Sequence, residues 1–285
     1  MKTEIKSNAK INIGLNIVGR LENGYHLLDM TMIPIDLCDK ITIEVFNKKG
    51  TLKIRTNKFD IPTGKENILF KIYEAFYDKI GKDSLEVELF LEKNIPHQAG
   101  LGGGSSNGAS LLKFLNEHHG NPLNLNDMIE LGKKIGADIP FFIINKSCRV
   151  TGIGENLETI ENNLNVSIVL IKPKFGVSTA QAYSNVKKIE NPKMADIDKI
   201  LLGLKTSDLK LVEENIENNL EEGLLLSDEN IKKFKERLYS IEDINFYMSG
   251  SGSAYYGFLL KDNLHMFSTI QKRFKDCEVY LCNFK

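Results

Sequence analysis

A glycine-rich stretch near the middle of the chain carries the clearest chemical signal. It reads Pro96-His97-Gln98-Ala99-Gly100-Leu101-Gly102-Gly103-Gly104-Ser105-Ser106. Because glycine has no Cβ, several backbone N–H groups can turn toward one point and an anion can approach the main chain. The apolar run after it predicts a helix beginning near Ser105, whose free N–H groups and dipole favour negative charge. A flexible linker is the alternative, but a linker would not normally lie between a strand-like segment, 85–91, and a helix. The stretch therefore predicts a phosphate site.

Two common phosphate loops do not fit this stretch. No lysine follows the glycines as in Gly-x-x-x-x-Gly-Lys-Ser/Thr, and Asn107 occupies the third glycine position of Gly-x-Gly-x-x-Gly. The His-Arg-Asp and Asp-Phe-Gly triplets of protein kinases are also absent from the sequence. A phosphate loop of a third kind is required.

A second set of polar residues lies near the N-terminus. Residues 9–17 alternate between apolar and polar, which predicts a half-buried strand with Lys10 and Asn12 together on its polar face. Alternation alone leaves two interpretations of Lys10: a solvated strand lysine, or an ammonium group that faces a ligand.

An aromatic pair follows a turn signal. Asn23-Gly24 predicts a hairpin turn, and Tyr25 and His26 begin the strand that leaves it. A stacking ring beside a hydrogen-bonding ring suits a flat polar ligand such as a nucleobase. The alternative is a tyrosine that merely flanks the turn, with an exposed histidine.

Asp138 is the acidic candidate. It follows a predicted helix, 125–135, for which Gly136 is a suitable C-terminal cap residue. Asp138 either caps the next element or forms a local turn, or it is a carboxylate among apolar groups that accepts a proton or orients a hydroxyl. A second glycine–serine stretch, residues 249–253, is expected to let the backbone approach a ligand or another loop.

Composition limits the class of protein. The chain has 285 residues, which suggests about two domains, and 42% of them are hydrophobic, enough for a sizeable core. Lys and Arg (37) nearly balance Asp and Glu (38), so nucleic acid is a poor candidate partner. The apolar runs are too short for a bilayer and the N-terminus has no signal core, which predicts a soluble cytoplasmic protein without a membrane partner. The four cysteines form no paired metal motif and are expected to be reduced thiols.

Strands and helices are predicted in alternation, which favours an α+β fold. The predicted strands, besides 9–17, are 41–46, 52–56, 85–91, one short strand within 148–155, 166–172, 255–260 and 277–283. The predicted helices are 66–80, one from about 105 to 120, 125–135, one capped by Ser178 or Thr179, 198–204, 208–218, 228–239 and 263–275.

Several of these blocks resemble one family. The motif from Pro96 to Ser106 resembles the central motif of the GHMP kinases, which include galactokinase, homoserine kinase and mevalonate kinase, and 248–253 resembles their third motif. Residues 9–12, 24–26 and 136–142 are similar to blocks of one branch of the family, whose substrate is a cytidine diphosphate-linked methylerythritol. The resemblance covers residues 7 to about 260.

The resemblance implies an α+β two-domain GHMP kinase fold. It comprises an N-terminal ATP-binding domain, 1–155, and a ferredoxin-like C-terminal domain on the substrate side, 156–285, with the active site in the interdomain cleft. It also implies ATP-dependent phosphorylation of a hydroxyl, in which Asp138 is the base or orienter and Lys10 lies beside it. Magnesium is expected with ATP, and Ser105 or Ser106 could contact it; no acidic ligand is assigned, and the oligomeric state is left open.

The resemblance also assigns site residues. Catalytic roles go to Lys10 and Asp138. ATP binding is assigned to Asn67, Lys93, Pro96, His97, Gln98, Ala99, Gly100, Leu101, Gly102, Gly103, Gly104, Ser105 and Ser106. Substrate binding is assigned to Asn12, Tyr25, His26, Thr179 and Tyr183.

Three departures from the family pattern leave the details of nucleotide contact open. They are His97-Gln98-Ala99, the additional Gly108, and Met248-Ser249-Gly250-Ser251 in the third motif. Two alternatives also remain: another GHMP kinase of the homoserine or mevalonate type, and a non-catalytic nucleotide-binding module. Such a module would be expected to lack Lys10 or Asp138, and both are present.

Overall fold

The computed structural model describes residues 2–285, which pack as two compact units. Unit 1 comprises the chain up to Ala9, Leu37–Ile95 and Gly102–Asn145; unit 2 comprises Lys10–Asp36, Pro96–Leu101 and Lys146–Lys285. Packing units need not coincide with the domains of a family, so the predicted division at residue 155 stays a prediction.

A long hairpin begins the chain. Strand β1 (Lys2–Arg20) pairs with β2 (His26–Lys49). In the turn between them Gly24 has φ +91°, and the Leu21 amide donates to the Tyr25 carbonyl oxygen at 2.8 Å. The predicted Asn23-Gly24 turn is confirmed.

Unit 1 contains a sheet and four helices that pack against one another. Strand β3 (Leu52–Thr56) pairs in parallel with β4 (Leu85–Glu92), and β4 pairs antiparallel with the second half of β2. The helices are α1 (Ile68–Ile80), α2 (Gly103–His118), α3 (Leu125–Lys133) and α4 (Ile139–Ile144). Gly108 allows α1 and α2 to pack closely, because a Cβ there would lie 3.3 Å from the Ile72 side chain.

The end of α3 differs from the prediction. The helix stops at Lys133, Lys134 occupies the C-cap position, and Gly136 lies in the turn that leads to α4. The Ile139 side chain of α4 packs directly over Gly132, where a Cβ would meet it at 2.5 Å. Docking of α4 onto the last turn of α3 thus accounts for the early end.

Unit 2 contains two strand systems. The first half of β2 pairs antiparallel with β5 (Cys148–Gly152), which pairs with β6 (Asn156–Thr159), a strand not predicted from the sequence. The other system is an antiparallel sheet in the order β10-β7-β9-β8. Its strands are β7 (Ser167–Lys172), β8 (Tyr247–Met248), β9 (Tyr255–Leu259) and β10 (Glu278–Asn283).

Helices complete this second sheet as a ferredoxin-like βαββαβ arrangement, as the resemblance implied. The helices of unit 2 are α5 (Thr179–Asn185), α6 (Ile197–Thr206), α7 (Leu209–Glu213), α8 (Asn219–Leu225), α9 (Glu229–Leu238) and α10 (Met266–Arg273). The predicted helix 208–218 is wrong in extent. The helix that begins there, α7, ends at Glu213. A separate helix, α8, begins after Asn218, whose backbone is extended (φ −141°).

No helix within residues 2–285 has the length and apolar character that a membrane span requires.

Candidate active site

Lys10 lies in the interior of unit 2. Strand β1 is buried on both faces from Ser7 to Asn16, and Lys10 is only 4% exposed. The predicted strand is confirmed, but its predicted half-burial is wrong, because distant residues cover its polar face. The Tyr256 hydroxyl donates to the Asn12 carbonyl oxygen at 2.9 Å, and the Lys10 ammonium donates to the Asn12 side-chain oxygen.

A turn of the second glycine–serine stretch lies against these two side chains. Gly250 has φ +54°, and a Cβ on it would be 3.0 Å from the Lys10 Nζ and 2.9 Å from the Asn12 Oδ1. This turn, the Gly250 turn, comprises residues 249–252. It is closed by the Gly252 amide, which donates to the Ser249 carbonyl oxygen at 3.0 Å. Glycine is required here both by its backbone conformation and by the close approach to Lys10. The expectation that this stretch lets the backbone approach a ligand or another loop is confirmed for the loop, because a Cβ on Gly250 would also lie 3.2 Å from the Gly100 carbonyl oxygen.

The first half of the glycine-rich loop joins the same cluster. The Lys10 amide donates to the Leu101 carbonyl oxygen at 3.1 Å, and the Ser249 hydroxyl donates to the Gly100 carbonyl oxygen at 3.1 Å. Gly100 has φ +72°, and a Cβ on it would overlap the Ser249 carbonyl oxygen. Two more main-chain bonds run from Ser253 to Gln98 (3.3 Å) and from Ala254 to Ala99 (3.2 Å). Three segments distant in sequence therefore meet within unit 2.

The second half of the loop begins helix α2 in unit 1. Gly102 is the N-cap, with φ +69°, so the helix starts two residues earlier than predicted. The first intrahelical bond runs from the Ser106 amide to the Gly102 carbonyl oxygen at 2.9 Å. The amides of the three preceding residues, 103–105, are thus available at the positive end of a 16-residue helix. This geometry suits a phosphate group.

A buried ion pair lies next to this helix start. The Lys93 ammonium is 2.5 Å from the Asp39 carboxylate, and the two residues are 7% and 0% exposed. The other Asp39 oxygen accepts the amides of Asn94 and Ile95, both at 2.8 Å. A Cβ on Gly103 would lie 3.1 Å from the Lys93 Nζ. Lys93 therefore lies against the loop backbone with its charge paired inside the protein.

Side chains of α2 extend this buried network. The Asn107 side-chain Nδ2 donates to the Asp39 carboxylate and to the Ser7 hydroxyl, both at 2.9 Å. The Ser7 hydroxyl in turn donates to the Ser106 hydroxyl at 2.8 Å. Ser106 is buried, whereas Ser105 is half-buried. Of the two serines, Ser105 is the better placed to reach a ligand.

Asp138 occupies the N-cap position of α4. Within the described part of unit 1 its half-buried carboxylate makes no capping hydrogen bond, and no hydrogen bond or ion pair occupies it. The backbone there is helical, with φ −85° and ψ −7°, which is not the extended conformation of a side-chain cap. Of the alternatives left open by the sequence, the capping role is excluded.

Asn67 has a structural role that the sequence analysis did not assign. Its side chain caps α1 by accepting the Leu69 amide at 2.8 Å, and it donates to the Pro62 carbonyl oxygen. Its assignment to ATP binding stays a prediction.

The aromatic candidates come together in unit 2. The His26 and Tyr183 rings are stacked, with centroids 5.0 Å apart and planes 30° apart, while Tyr25 is largely exposed. Burial lowers the pKa of His26, and the nearby charges of Arg20 and Lys187 lower it further. His26 is therefore neutral at pH 7, with one donor and one acceptor nitrogen.

Each candidate residue belongs to one of the two units. Unit 1 contains Asn67, Lys93, Gly102, Gly103, Gly104, Ser105, Ser106 and Asp138. Unit 2 contains Lys10, Asn12, Tyr25, His26, Pro96, His97, Gln98, Ala99, Gly100, Leu101, Thr179 and Tyr183. The Thr179 hydroxyl is 3.3 Å from that of Ser251, next to the Gly250 turn. Because Lys10 and Asp138 belong to different units, their action on one alcohol stays a prediction.

Sequence reasoning missed Asp39, Ser7 and Asn218. Ser7 lies in β1, Asp39 in β2 and Asn218 at the N-cap of α8, and none of them has a motif around it. Within residues 2–285 no group of three or more His, Cys, Asp or Glu side chains is arranged to hold a metal ion.

Comparison with known proteins gives the family. The family described as GHMP kinases N terminal domain matches residues 67–146. A protein of Fusobacterium nucleatum subsp. nucleatum, named 4-diphosphocytidyl-2-C-methyl-D-erythritol kinase, is 45% identical over 284 residues, 99% of this chain and 97% of that relative. The chain belongs to the 4-diphosphocytidyl-2-C-methyl-D-erythritol kinase family. Membership of this family of GHMP kinases implies the use of ATP.

Solved structures agree with this family. A crystal structure of 4-(cytidine 5'-diphospho)-2C-methyl-D-erythritol kinase superposes with a TM-score of 0.82 at 27% identity, covering 99% of each chain. A homoserine kinase from Cytophaga hutchinsonii gives a TM-score of 0.74 at 16% identity, covering 100% of this chain and 96% of the other, which shows a shared fold alone. The predicted GHMP kinase fold is confirmed, and the findings favour the cytidyl branch over the homoserine or mevalonate type.

Proposed function

We propose that this protein transfers the γ-phosphoryl group of ATP to the 2-hydroxyl of 4-diphosphocytidyl-2-C-methyl-D-erythritol, in non-mevalonate isoprenoid precursor biosynthesis. The observation that carries the proposal is 45% identity to a kinase of that name along 99% of the chain. We also propose that the protein acts in the cytoplasm, with two water-soluble small molecules as partners and without nucleic acid or a membrane. We assign residues 156–285 to the substrate-side domain.

The start of α2 binds the triphosphate. The amides of residues 103–105 donate to phosphate oxygens, and the helix dipole adds to the attraction. Phosphoryl transfer depends mainly on positioning and on neutralising charge, so fixed backbone donors are suited to it. The buried Lys93–Asp39 pair keeps this backbone in place.

Lys10 and Asp138 act on the reacting groups. The 2-hydroxyl oxygen forms a bond to the γ-phosphorus, the bond from that phosphorus to the β–γ bridging oxygen breaks, and ADP leaves. The Asp138 carboxylate makes no capping hydrogen bond, so its oxygens can accept the hydroxyl proton or orient the hydroxyl. The Lys10 ammonium, which Asn12 orients, neutralises charge that develops on the transferring group.

The aromatic residues recognise the cytosine. The stacked His26 and Tyr183 rings offer a flat face and hydrogen-bonding nitrogens, and Tyr25 is exposed next to His26 in the chain. Asn12 and Thr179 contact polar groups of the sugar alcohol. Magnesium, when bound with ATP, would neutralise phosphate charge, and the Ser105 hydroxyl is the protein group that would reach its coordination shell.

ADP release with three alcohols tests the substrate. We expect ADP with the cytidyl substrate and not with mevalonate or homoserine. ADP formed only with one of the latter pair would refute the proposed substrate while leaving a GHMP kinase.

Asp138→Asn tests the mechanism. We expect kcat to fall by on the order of 10²–10⁴-fold with ATP affinity retained, because the amide cannot accept a proton. Asp127→Asn is the matched control, since Asp127 is a carboxylate of the same unit that pairs with Lys79 at the surface. Equal turnover in the two variants would remove Asp138 from the mechanism.

A further inference from the structure

Asn218 is a buried residue whose side-chain donors and acceptor all make hydrogen bonds. It is 7% exposed and lies at the N-cap of α8. Its Nδ2 donates to the carbonyl oxygens of Met248 and Gly250, both at 3.0 Å. Its Oδ1 accepts the amides of Leu220 at 2.9 Å and Glu221 at 3.4 Å. One amide group therefore joins the start of a helix to the Gly250 turn.

Neighbouring residues fix Asn218 itself. The Leu15 amide of strand β1 donates to the Glu217 carbonyl oxygen at 2.9 Å, and Leu15 forms a parallel bridge with Asn218. The Glu221 carboxylate accepts the Met248 amide at 3.3 Å and is 2.8 Å from the Lys235 ammonium. The start of α8 is thus tied both to the strand that carries Lys10 and to the segment that leads into the turn.

The position of this turn controls the space around Lys10. Gly250 approaches Lys10 and Asn12 so closely that even a Cβ would crowd both side chains. A small displacement of the turn would therefore change the position of the ammonium. Misplacement of a reacting group by about 1 Å costs on the order of 10²-fold in rate.

We infer that Asn218 is a positioning residue for phosphoryl transfer: by bonding the Met248 and Gly250 carbonyls it keeps the Gly250 turn against Lys10 and Asn12. This role rests on the proposed function of Lys10. The residue type fits the role. Aspartate caps helices as well as asparagine does, but a carboxylate has no N–H to donate and would present a negative charge to two carbonyl oxygens.

Asn218→Asp tests this inference against a matched control, Asn219→Asp. Asn219 is the next residue, is 1% exposed, accepts the Ile17 amide at 2.9 Å and donates to the Lys193 carbonyl oxygen at 2.7 Å. None of its hydrogen bonds among residues 2–285 goes to the Gly250 turn. Each variant replaces a buried donor by a carboxylate on the same helix start, so both are expected to lower the melting temperature.

The first readout does not depend on substrate. The amides of Ser249 and Gly252 donate within the turn, to Ala254 and Ser249. We expect their hydrogen exchange, followed by NMR, to be at least about tenfold faster in Asn218→Asp and unchanged in Asn219→Asp. Asn218→Ser keeps a capping oxygen, removes both N–H groups of Nδ2 and adds no charge. Its shorter hydroxyl cannot replace both bonds, so it is expected to behave like Asn218→Asp and serves if the latter does not fold.

The second readout is catalysis. We expect kcat to fall about 10–100-fold in Asn218→Asp with the KM for ATP within about twofold, and kcat to change less than about threefold in Asn219→Asp. Equal effects of the two variants on exchange or on kcat would overturn the inference. If the wild type turns over only a different alcohol, the proposed substrate alone is refuted, since the two variants can then be compared on that alcohol. If it turns over no alcohol, both the proposed function and the positioning role of Asn218 are refuted.

Discussion

The two halves of the glycine-rich loop are anchored by different chemistry. In unit 1 the start of α2 lies against a buried ion pair, Lys93–Asp39. In unit 2 the segment Pro96–Leu101 is joined to the Gly250 turn mainly by main-chain hydrogen bonds. Removing one partner of a buried ion pair leaves the other charged and unpaired. Main-chain bonds survive changes of side chain but fail where added volume or backbone strain separates the segments. Each half should therefore be broken by a different class of substitution.

Asp39→Asn is expected to have the largest effect on stability. The substitution leaves the Lys93 ammonium buried without a counter-charge, and it replaces an acceptor of four hydrogen bonds by a group that accepts through one oxygen. We expect a loss of about 3–5 kcal/mol in the free energy of unfolding, measured by urea denaturation.

Two further variants sharpen this result. Asp83→Asn breaks the exposed pair with Lys49 and should cost only about 0–1 kcal/mol. Asp39→Asn combined with Lys93→Met should lose less than Asp39→Asn alone, because no charge is then left unpaired. A loss in Asp39→Asn no larger than in Asp83→Asn would show that the ion pair does not anchor unit 1.

Gly100→Ala should have the next largest effect. Its φ of +72° is unfavourable for alanine, and the new Cβ would overlap the Ser249 carbonyl oxygen. We expect a loss of at least about 1–3 kcal/mol in the free energy of unfolding, with a fall in turnover, because the loop must separate from the Gly250 turn.

Gly104→Ala is the matched control in unit 1. Gly104 lies within α2, and a Cβ there would meet nothing within 4 Å in the described chain. Because alanine favours helix more than glycine does, stability should rise by up to about 1 kcal/mol, while the KM for ATP rises through crowding at the phosphate site. Equal destabilisation by both alanines would contradict the contrast between the two halves.

The sequence predicted the parts of the fold that have local signals. The glycine-rich loop, the Asn23-Gly24 turn and the cap of α5 by Ser178 each depend on residues within a few positions. Burial of the polar face of β1 could not be predicted, because its cover includes Tyr256, 244 residues from Asn12. The separate helix α8 was missed because its start is fixed by Asn218, a polar residue inside what reads as one helical run.

Only part of the candidate site could be predicted from the sequence. Motifs identified Lys10, Gly100 and Gly250 as residues of interest, and the structure brings these three together. The residues that anchor them could not be found in the same way. Asp39 acts through Lys93, 54 positions away, and Asn218 acts through Gly250, 32 positions away. A single polar residue with distant partners leaves no local pattern.

The smallest predicted effect concerns His26, the histidine of the stacked pair in unit 2. Because its pKa is lowered, His26 is expected to bind the cytidyl substrate as a neutral ring. Burial and the charges of Arg20 and Lys187 lower its pKa below the ordinary value of about 6.5. The Kd of this substrate, measured by calorimetry without ATP, should therefore be flat from pH 8 to 6.5 and weaken by a few-fold below that as the ring is protonated. In His26→Asn the acid step should disappear.

Stability gives an independent check with the same sign. Since the folded pKa is lowered, the unfolded chain binds the proton first as the pH falls through about 6.5, so the contribution of His26 to stability is complete above that pH and decreases below it. The difference in free energy of unfolding between wild type and His26→Asn should accordingly shrink in acid. A difference that grows as the pH falls, or substrate binding that already weakens between pH 8 and 7, would mean that His26 is held in its charged form. The substrate side of unit 2 would then carry a charged ring, and a neutral hydrogen-bonding imidazole could not account for recognition of the base.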